Sequence, residues 1–277
     1  MKIENDIISI INSYDVKNNN VYTDLGNNCS IITCVDKYMA ITTGQIVSNT
    51  HYFVNKTDPK LAGKKLLKKC ISNFAAIGGA KPEYAFVSVT ISKNICKSMF
   101  DNFYNGLAEE AKKWNIKICG GDTVINKYVN KKTPIVSSMT LLGFIEKDNI
   151  CLKSNAKSKD LLYTTGYIGN SLESGHHINF TPRLNESTFL SKGFTNTMSD
   201  TTDGLLITVS DIEVHSNVAI DLDYKKIPLR EGCVTVESAV EDGEDYELIF
   251  TISEENEDKL LNSWPFNVKL TKIGRVI

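Results

Sequence analysis

Apolar positions in the first half of the chain alternate between the two-residue period of strands and the three-to-four-residue period of helices. Residues 29 to 35 (CSIITCV) and 38 to 43 (YMAITT) predict a hairpin, and residues 84 to 90 (YAFVSVT) a further strand. Leu67, Cys70, Ile71, Phe74 and Ile77 recur at helical spacing, and Gly78 and Gly79 followed by Pro82 mark where that helix stops. Phe100, Phe103, Tyr104, Leu107, Ala108 and Ala111 make the stripe of a second helix. A short strand Ile116 to Cys119, a turn at Gly120-Gly121-Asp122-Thr123 and a strand near Ile135 to Ile145 follow. A mixed four-stranded sheet is expected ahead of residue 146.

The stretch Glu146 to Asp160 is polar and rich in Lys, Asn and Ser, so a domain boundary is expected there, dividing residues 1–145 from 146–277. Beyond it, Leu161 to Thr164, Val218 to Leu222 and Tyr246 to Ile252 read as strands. Leu205, Val209 and Ile212 form a helical stripe behind the candidate caps Asp200 and Thr201, and Ser253 is placed to cap a short helix beginning with Glu254 and Glu255. The fold class expected is α/β (α+β), in two units of similar size, without a fixed-period repeat.

With 42% apolar and 23% charged residues among 277, the chain can bury a sizeable core. Thirty-one basic against 33 acidic side chains give a net charge of −2, which leaves nothing to attract nucleic acid or an anionic membrane. No stretch approaches the ~18 apolar residues of a membrane span, and Lys2, Glu4 and Asp6 interrupt the N-terminus, so no targeting segment is expected. The seven cysteines are odd in number and contain no C-x-x-C pair, as expected of a reducing cytoplasm. Arginine is scarce, at positions 183, 230 and 275 alone, while Lys and Asn abound. An A+T-rich gene would produce that bias, so single Lys or Asn identities carry little weight. Lys64, Lys65, Lys68 and Lys69 flank the first helix's apolar stripe and are expected to form a solvated face.

Three motifs place acids beside glycines: C-G-G-D-T (119 to 123), T-D-G-L (202 to 205) and D-G-E-D-Y-E-L (242 to 248). Glycine lets backbone N–H groups approach a phosphate, and a nearby Asp can hold the Mg²⁺ that neutralises it. Alone, each acid is equally a turn or capping residue, and Asp203 could simply cap its helix.

Taken together and in order, with L-G-N-N-C-S-I-I (25 to 32), I-T-T-G (41 to 44), C-I-S-N-F-A-A-I-G-G-A-K-P (70 to 82), L-K-S-N-A-K (152 to 157), T-P-R-L (181 to 184), M-S-D-T-T-D-G-L-L (198 to 206) and I-P-L (227 to 229), the motifs cover nearly the whole chain. They resemble the thiamine-monophosphate kinase family of the aminoimidazole-ribonucleotide-synthetase-like superfamily. The resemblance implies a two-domain fold whose N-terminal sheet pairs across the axis of a homodimer. It also implies ATP and Mg²⁺ as cofactors, thiamine monophosphate as substrate and thiamine diphosphate as product.

On the same resemblance, the six metal-binding acids of the family fall at Asn27, Asn28, Gly44, Asn73, Asp122 and Asp203, so two acids remain. Gly120, Gly121, Asp122, Thr123 and Lys153 fall at nucleotide-binding positions, Lys153 replacing an arginine and losing its bidentate fork. His51 falls at a substrate position, although a lone His beside aromatics is commonly a packed residue. The chain stops at Ile277 where the family continues into an aromatic tail, and residues 169 to 182 are shorter than the family's and are expected to lack a helix. His176 and His177 match no family motif, and Cys119 has no partner base and is expected to be buried in its strand. Two readings stay open: a kinase with weakened metal binding, and a non-catalytic relative that keeps the fold and a nucleotide or phosphate site.

Overall fold

The computed structural model describes residues 20–23, 26–35, 37–127 and 134–277. β1 (Ser30–Cys34) and β2 (Lys37–Val47) form the expected hairpin, with Ser30 opposite Ile41 and Cys34 opposite Lys37. The chain then enters α1 (Pro59–Ala75), where the Asp58 carboxylate accepts from the Lys60 N–H at 2.9 Å and Pro59 occupies a position whose N–H would be unpaired anyway. β3 (Lys81–Ser92), α2 (Lys97–Lys113), β4 (Lys117–Asn126) and β5 (Ile135–Ile145) complete the first unit. Its sheet runs β1-β2-β5-β3-β4, antiparallel except for β3 beside β4.

The sheet has five strands rather than four, since all five strand segments read from the sequence join it, and the Gly-Gly-Asp-Thr run expected as a turn lies inside a longer β4. Ile118 pairs with Ala85 and Gly120 with Phe86, leaving Cys119 as the extra residue of a bulge after which pairing resumes. A Cβ on Gly121 would stand 1.7 Å from the Val87 carbonyl oxygen, so only glycine lets the two strands approach this closely. Cys119 is exposed, not buried, because β4 is an edge strand. The opposite edge, β1, is partly covered by Val21, which bridges to Ile32.

The inner face of the sheet packs on α1, where Leu66, Leu67, Cys70, Ile71 and Phe74 are fully buried. At ~1.5–3 kcal/mol for each large apolar side chain, that stripe dominates the energetics of the unit. α1 crosses α2 at two glycines, since a Cβ on Gly63 would lie 1.9 Å from the Phe103 carbonyl oxygen and one on Gly106 1.9 Å from that of Lys60.

The second unit holds β6 (Leu161–Thr165), β7 (Thr197–Asp200), β8 (Ile220–Leu222), β9 (Leu248–Ile252) and β10 (Leu270–Val276) in a wholly antiparallel sheet ordered β7-β9-β6-β10-β8. Its helices are α3 (His176–Asn179), α4 (Leu184–Ser191), α5 (Leu205–Ser216), α6 (Val236–Glu241) and α7 (Glu257–Ser263). The segment expected to lack a helix therefore contains the single turn of α3. Asp200 ends β7 instead of capping α5, which Gly204 precedes without any side-chain cap. Ser253 likewise makes no capping bond, and a 3₁₀ turn at Glu254–Asn256 precedes α7.

All strands of the first sheet precede residue 146 and all strands of the second follow it. The larger apolar cluster does not respect that line: Phe74 and Leu141 belong to it together with Leu184, Leu190, Met198 and Phe250. A smaller cluster built on Leu162, Leu205, Ile212, Ile249 and Ile273 lies within the second unit. α1 is the shared element, packing against α3, α4 and β7 as well as β2 and β5.

This docking overturns the expectation of a solvated lysine face. Lys65 is 0% and Lys68 6% exposed, because the second unit covers this side of α1. Lys65 Nζ donates to Glu244 Oε2 (2.8 Å) and the His51 carbonyl (2.7 Å). Lys68 Nζ donates to the carbonyls of Ile178 (2.8 Å) and Phe180 (2.7 Å) and lies 4.5 Å from the Phe180 ring centre. Lys64 and Lys69 are half-buried. Among the described residues, no helix is long and apolar enough to cross a membrane.

Candidate functional site

Asp200 gathers the N-terminal and C-terminal motifs into one polar network where the units meet. Its carboxylate accepts from Asn28 Nδ2 (3.0 Å), Ser72 Oγ (2.6 Å) and Thr202 Oγ1 (2.8 Å). Ser199 Oγ donates to Asn28 Oδ1 at 3.3 Å, while Thr42 Oγ1 donates to the Asn28 carbonyl (3.0 Å) and accepts from Asn73 Nδ2 (2.8 Å). Asn28 and Asn73 are thus brought together, and Asn27 beside them is half-buried. Asp200 itself is 4% exposed and is the residue that sequence reasoning treated only as a helix cap. The signal available for it was the pair of acids, Asp200 and Asp203, three residues apart around one turn.

The T-D-G-L and D-G-E-D motifs pack directly on each other. The Glu244 N–H donates to the Thr202 carbonyl at 2.8 Å, and a Cβ on Gly243 would stand 2.9 Å from the same oxygen. Glu244 (φ 61°) and Tyr246 (φ 55°) both adopt the left-handed conformation, which side chains normally avoid and which persists where surroundings over-determine it. Here the surroundings are explicit: Tyr246 stacks on Phe180 with ring centres 3.7 Å apart and donates to Glu244 Oε1 at 3.2 Å. This conformation sets Glu244 against Lys65, whose Nζ also donates to the His51 carbonyl.

His51 Nδ1 accepts from the Val47 N–H at 3.1 Å. Burial first, then the positive charge of Lys69, holds its pKa below the ordinary value, so the ring is neutral. Lys153 is also buried, in an ion pair with Asp211 at 2.6 Å, and its Nζ donates to the Gly26 carbonyl at 3.4 Å. Asp203 keeps solvent access but is ringed by protein, and that desolvation, followed by Asp200, raises its pKa.

The Gly120 to Thr123 run is not brought to this cleft within one chain. Asp122 aligns across the sheet with Ser88, Ser138 and Gln45, so its side chain lies on the outer face, whereas the adjacent Gly44 position faces inward. Three strand spacings of ~4.8 Å separate the two, roughly 14 Å in all. Asp122 is exposed, with Oδ1 accepting from the Thr123 N–H at 2.9 Å. A cavity of about 590 Å³ lies elsewhere again, at Asp148, Lys157, Lys192 and Thr251, and holds none of the candidate residues. Converging polar groups, not cavity size, locate the site.

Behind the cleft lie two buried ion pairs, Arg183 with Glu247 (2.6 Å) and Arg230 with Asp245 (2.9 Å). Between them His176 Nε2 bonds the Asp245 carbonyl at 2.8 Å, and burial, then Arg230, pushes its pKa down to about 4. Burial lowers the His177 pKa as well. Both rings stay neutral in the folded protein at pH values where the unfolded chain, titrating near ~6.5, takes up protons. His176 is therefore expected to contribute up to about 3 kcal/mol of stability that is fully present above about pH 6.5 and lost as the pH drops toward about 4, while burial raises the pKa of Asp245 to about 7 and acts in the opposite direction over the same window. Urea unfolding of the wild type and of His176→Gln across that window checks this: the difference in stability between them should change between about pH 6.5 and 4, and a constant difference would remove His176 from the acid response.

Mg²⁺ takes an octahedron of oxygens, commonly one or two carboxylates plus substrate phosphates. Among the described residues, no group of three or more His, Cys, Asp or Glu is placed to hold a metal ion. Asn28 and Asn73 turn amide nitrogens toward Asp200 and Thr42, Asp200 is satisfied by three neutral donors, and Gly44 offers no side-chain donor. A cluster of metal ions held by the protein does not fit this set. Asp203 remains as a single carboxylate that a nucleotide-borne cation could touch.

Known proteins share this chain's sequence pattern and fold. Residues 26–145 match the family described as AIR synthase related protein, N-terminal domain. The thiamine-monophosphate kinase of Leptospira interrogans is 31% identical over 257 residues, covering 84% of this chain and 79% of the relative. That of Bacillus subtilis is 27% identical over 303 residues, covering 99% of this chain and 91% of the relative. The crystal structure of thiamine monophosphate kinase from Aquifex aeolicus superposes with a TM-score of 0.79 at 23% identity, covering 98% of this chain and 92% of that one. A further chain, AaThiL complexed with AMPPCP and TMP, gives a TM-score of 0.82 at 23% identity over 98% and 88% of the two chains. The mixed α/β fold with two sheets is therefore that of these relatives, and the chain belongs to the thiamine-monophosphate kinase family of phosphotransferase enzymes.

Proposed function

We propose that the protein transfers the γ-phosphoryl group of ATP to the phosphate of thiamine monophosphate, giving thiamine diphosphate, at reduced turnover and as a homodimer. The observation that carries this reading is the convergence of Asn28, Gly44, Asn73, Asp200 and Asp203 with Lys153 in one cleft between the units. The attacking phosphate is already an anion, so no general base is needed and the protein's task is to bind two polyanions and align them. Mg²⁺ bound to the nucleotide neutralises phosphate charge when present. Lys153 meets a phosphate by exchanging Asp211 for it, and Asp203 faces the nucleotide's cation. Glu244, held by Lys65 and Tyr246, lines the substrate side with the neutral His51.

Reduced turnover follows from neutral groups at positions 27, 28, 44 and 73, since stabilisation of phosphoryl transfer is chiefly electrostatic and each ~1.4 kcal/mol lost is tenfold in rate. Turnover is expected at least ~100-fold below that of a family member with acids there, measured by formation of thiamine diphosphate from ATP and thiamine monophosphate. Equal turnover would refute the lost-ligand argument. Binding of both substrates with no product would select the non-catalytic relative.

The homodimer is supported by the outer face of the first sheet. Tyr84, Phe86 and Val124 are 43%, 44% and 47% exposed there, beside the half-buried Leu142 and Phe144. An apolar face of this kind, next to the open edge of β4, calls for a second copy, which would also bring its Gly120 to Thr123 run to the partner's cleft. A clean monomer in sedimentation at micromolar concentration would overturn this. We place the domain division at residues 145/146, as a division of sheets rather than of core. Seven unpaired cysteines support a reducing, cytoplasmic setting.

A further inference from the structure

We infer that the ammonium of Lys69 is the cation this cleft itself presents to a substrate phosphate, in place of a metal ion held by the protein. The inference rests on the kinase reading above and deepens it. Lys65 is committed to Glu244 at 2.8 Å, and Lys153 reaches a phosphate only by giving up Asp211 at 2.6 Å. Asp200 is enclosed by Asn28, Ser72 and Thr202. Lys69 alone among these lysines makes no hydrogen bond or ion pair with a described residue, and it is half-buried, so a ligand can reach it.

Position 69 follows Lys65 by one helical turn, which puts both side chains on the same side of α1. Across from it stands Gly44 of β2. A Cβ at position 44 would lie 3.8 Å from Lys69 Cγ, 3.9 Å from its Cδ and 2.7 Å from Cys70 Sγ. Absence of a side chain at 44 therefore clears the lane along which Lys69 runs into the cleft, while Cys70 blocks an acid from returning there without rearrangement. The positive charge is felt on both sides of the cleft, by His51 on one and Asp203 on the other. An uncommitted ammonium in such a half-desolvated setting favours a phosphate oxygen, through a charge-assisted hydrogen bond that needs no metal.

Isothermal titration of AMPPCP into the full-length protein, once with Mg²⁺ and once with excess EDTA, tests this. The wild-type protein is expected to keep in EDTA an affinity within about tenfold of its value in Mg²⁺. Lys69→Met should lower the EDTA affinity by about tenfold or more, and Lys69→Arg should restore most of it. Thermal unfolding of Lys69→Met should match the wild type, which separates a lost contact from a lost fold. An EDTA affinity unchanged in Lys69→Met overturns the assignment while leaving the kinase reading in place, as does wild-type binding seen in Mg²⁺ alone. Failure of the wild-type protein to bind AMPPCP in either buffer overturns the kinase reading and this inference with it.

Discussion

Glu247→Ala is expected to lower the free energy of unfolding by about 3–5 kcal/mol. The Glu247 side chain is 1% exposed and accepts from Arg183 Nε (2.7 Å), Arg183 Nη2 (2.6 Å) and Thr165 Oγ1 (2.7 Å). Removing it leaves a guanidinium that is 16% exposed without its bidentate partner. Glu186, 3.8 Å from Arg183, is itself buried with a raised pKa and cannot reproduce the fork. Thr165 also receives the Leu248 N–H at 2.9 Å, so the damage reaches the start of β9. Urea unfolding at neutral pH measures the effect. The double variant Arg183→Met/Glu247→Leu should lose less than Glu247→Ala, because no uncompensated charge then remains. A cost under about 1 kcal/mol for Glu247→Ala would mean that water reaches the guanidinium and the pair is not buried in solution.

Asp200→Ala is expected to reduce turnover of thiamine monophosphate by at least ~100-fold, with a smaller loss for Asp200→Asn, which keeps the shape and removes the charge. Asn28, Ser72 and Thr202 come from three different parts of the chain and share this one carboxylate as acceptor. Without it the turn that carries Asp203 is released from α1 and from the segment ahead of β1. The defect should fall on kcat more than on KM for ATP, since Lys153 and Lys69 are untouched. Turnover of Asp200→Ala within about threefold of wild type would make the network a purely structural junction.

Much of this architecture was legible from residue order alone. The hairpin of β1 and β2, the stripe of α1 and the strand β5 appear where apolar period and turn residues put them, because each is decided by contacts with near neighbours. The candidate site was legible only in part. Asn28, Asn73, Asp203 and Lys153 reach one cleft, whereas Asp200 was read as a cap, since an Asp before a helix has the same local signature in either role. Lys65 and Lys68 looked like solvated charge for a comparable reason: helical spacing reports the face a residue occupies, not what later covers that face.

Composition and motif order by themselves determined the class of the protein: a near-neutral chain with a mixed α/β pattern, and acid-glycine motifs in the order of one phosphotransferase family. Those properties survive without coordinates because they depend on residue identity and spacing. Tertiary structure alone decided that the Gly120 to Thr123 run is an edge strand on the outer face. A turn and a bulged strand share the same glycines, and only the approach of Val87 distinguishes them. It alone decided that two of the expected metal positions, Asn28 and Asn73, belong to a satisfied network of amides and hydroxyls around Asp200, since hydrogen-bond partners between 128 and 172 residues apart leave no trace in local sequence. And it alone separated Lys69 from its neighbours on α1, because commitment of a charge is a matter of which opposite charge lies within reach, and that is set by the docking of the second unit on the first.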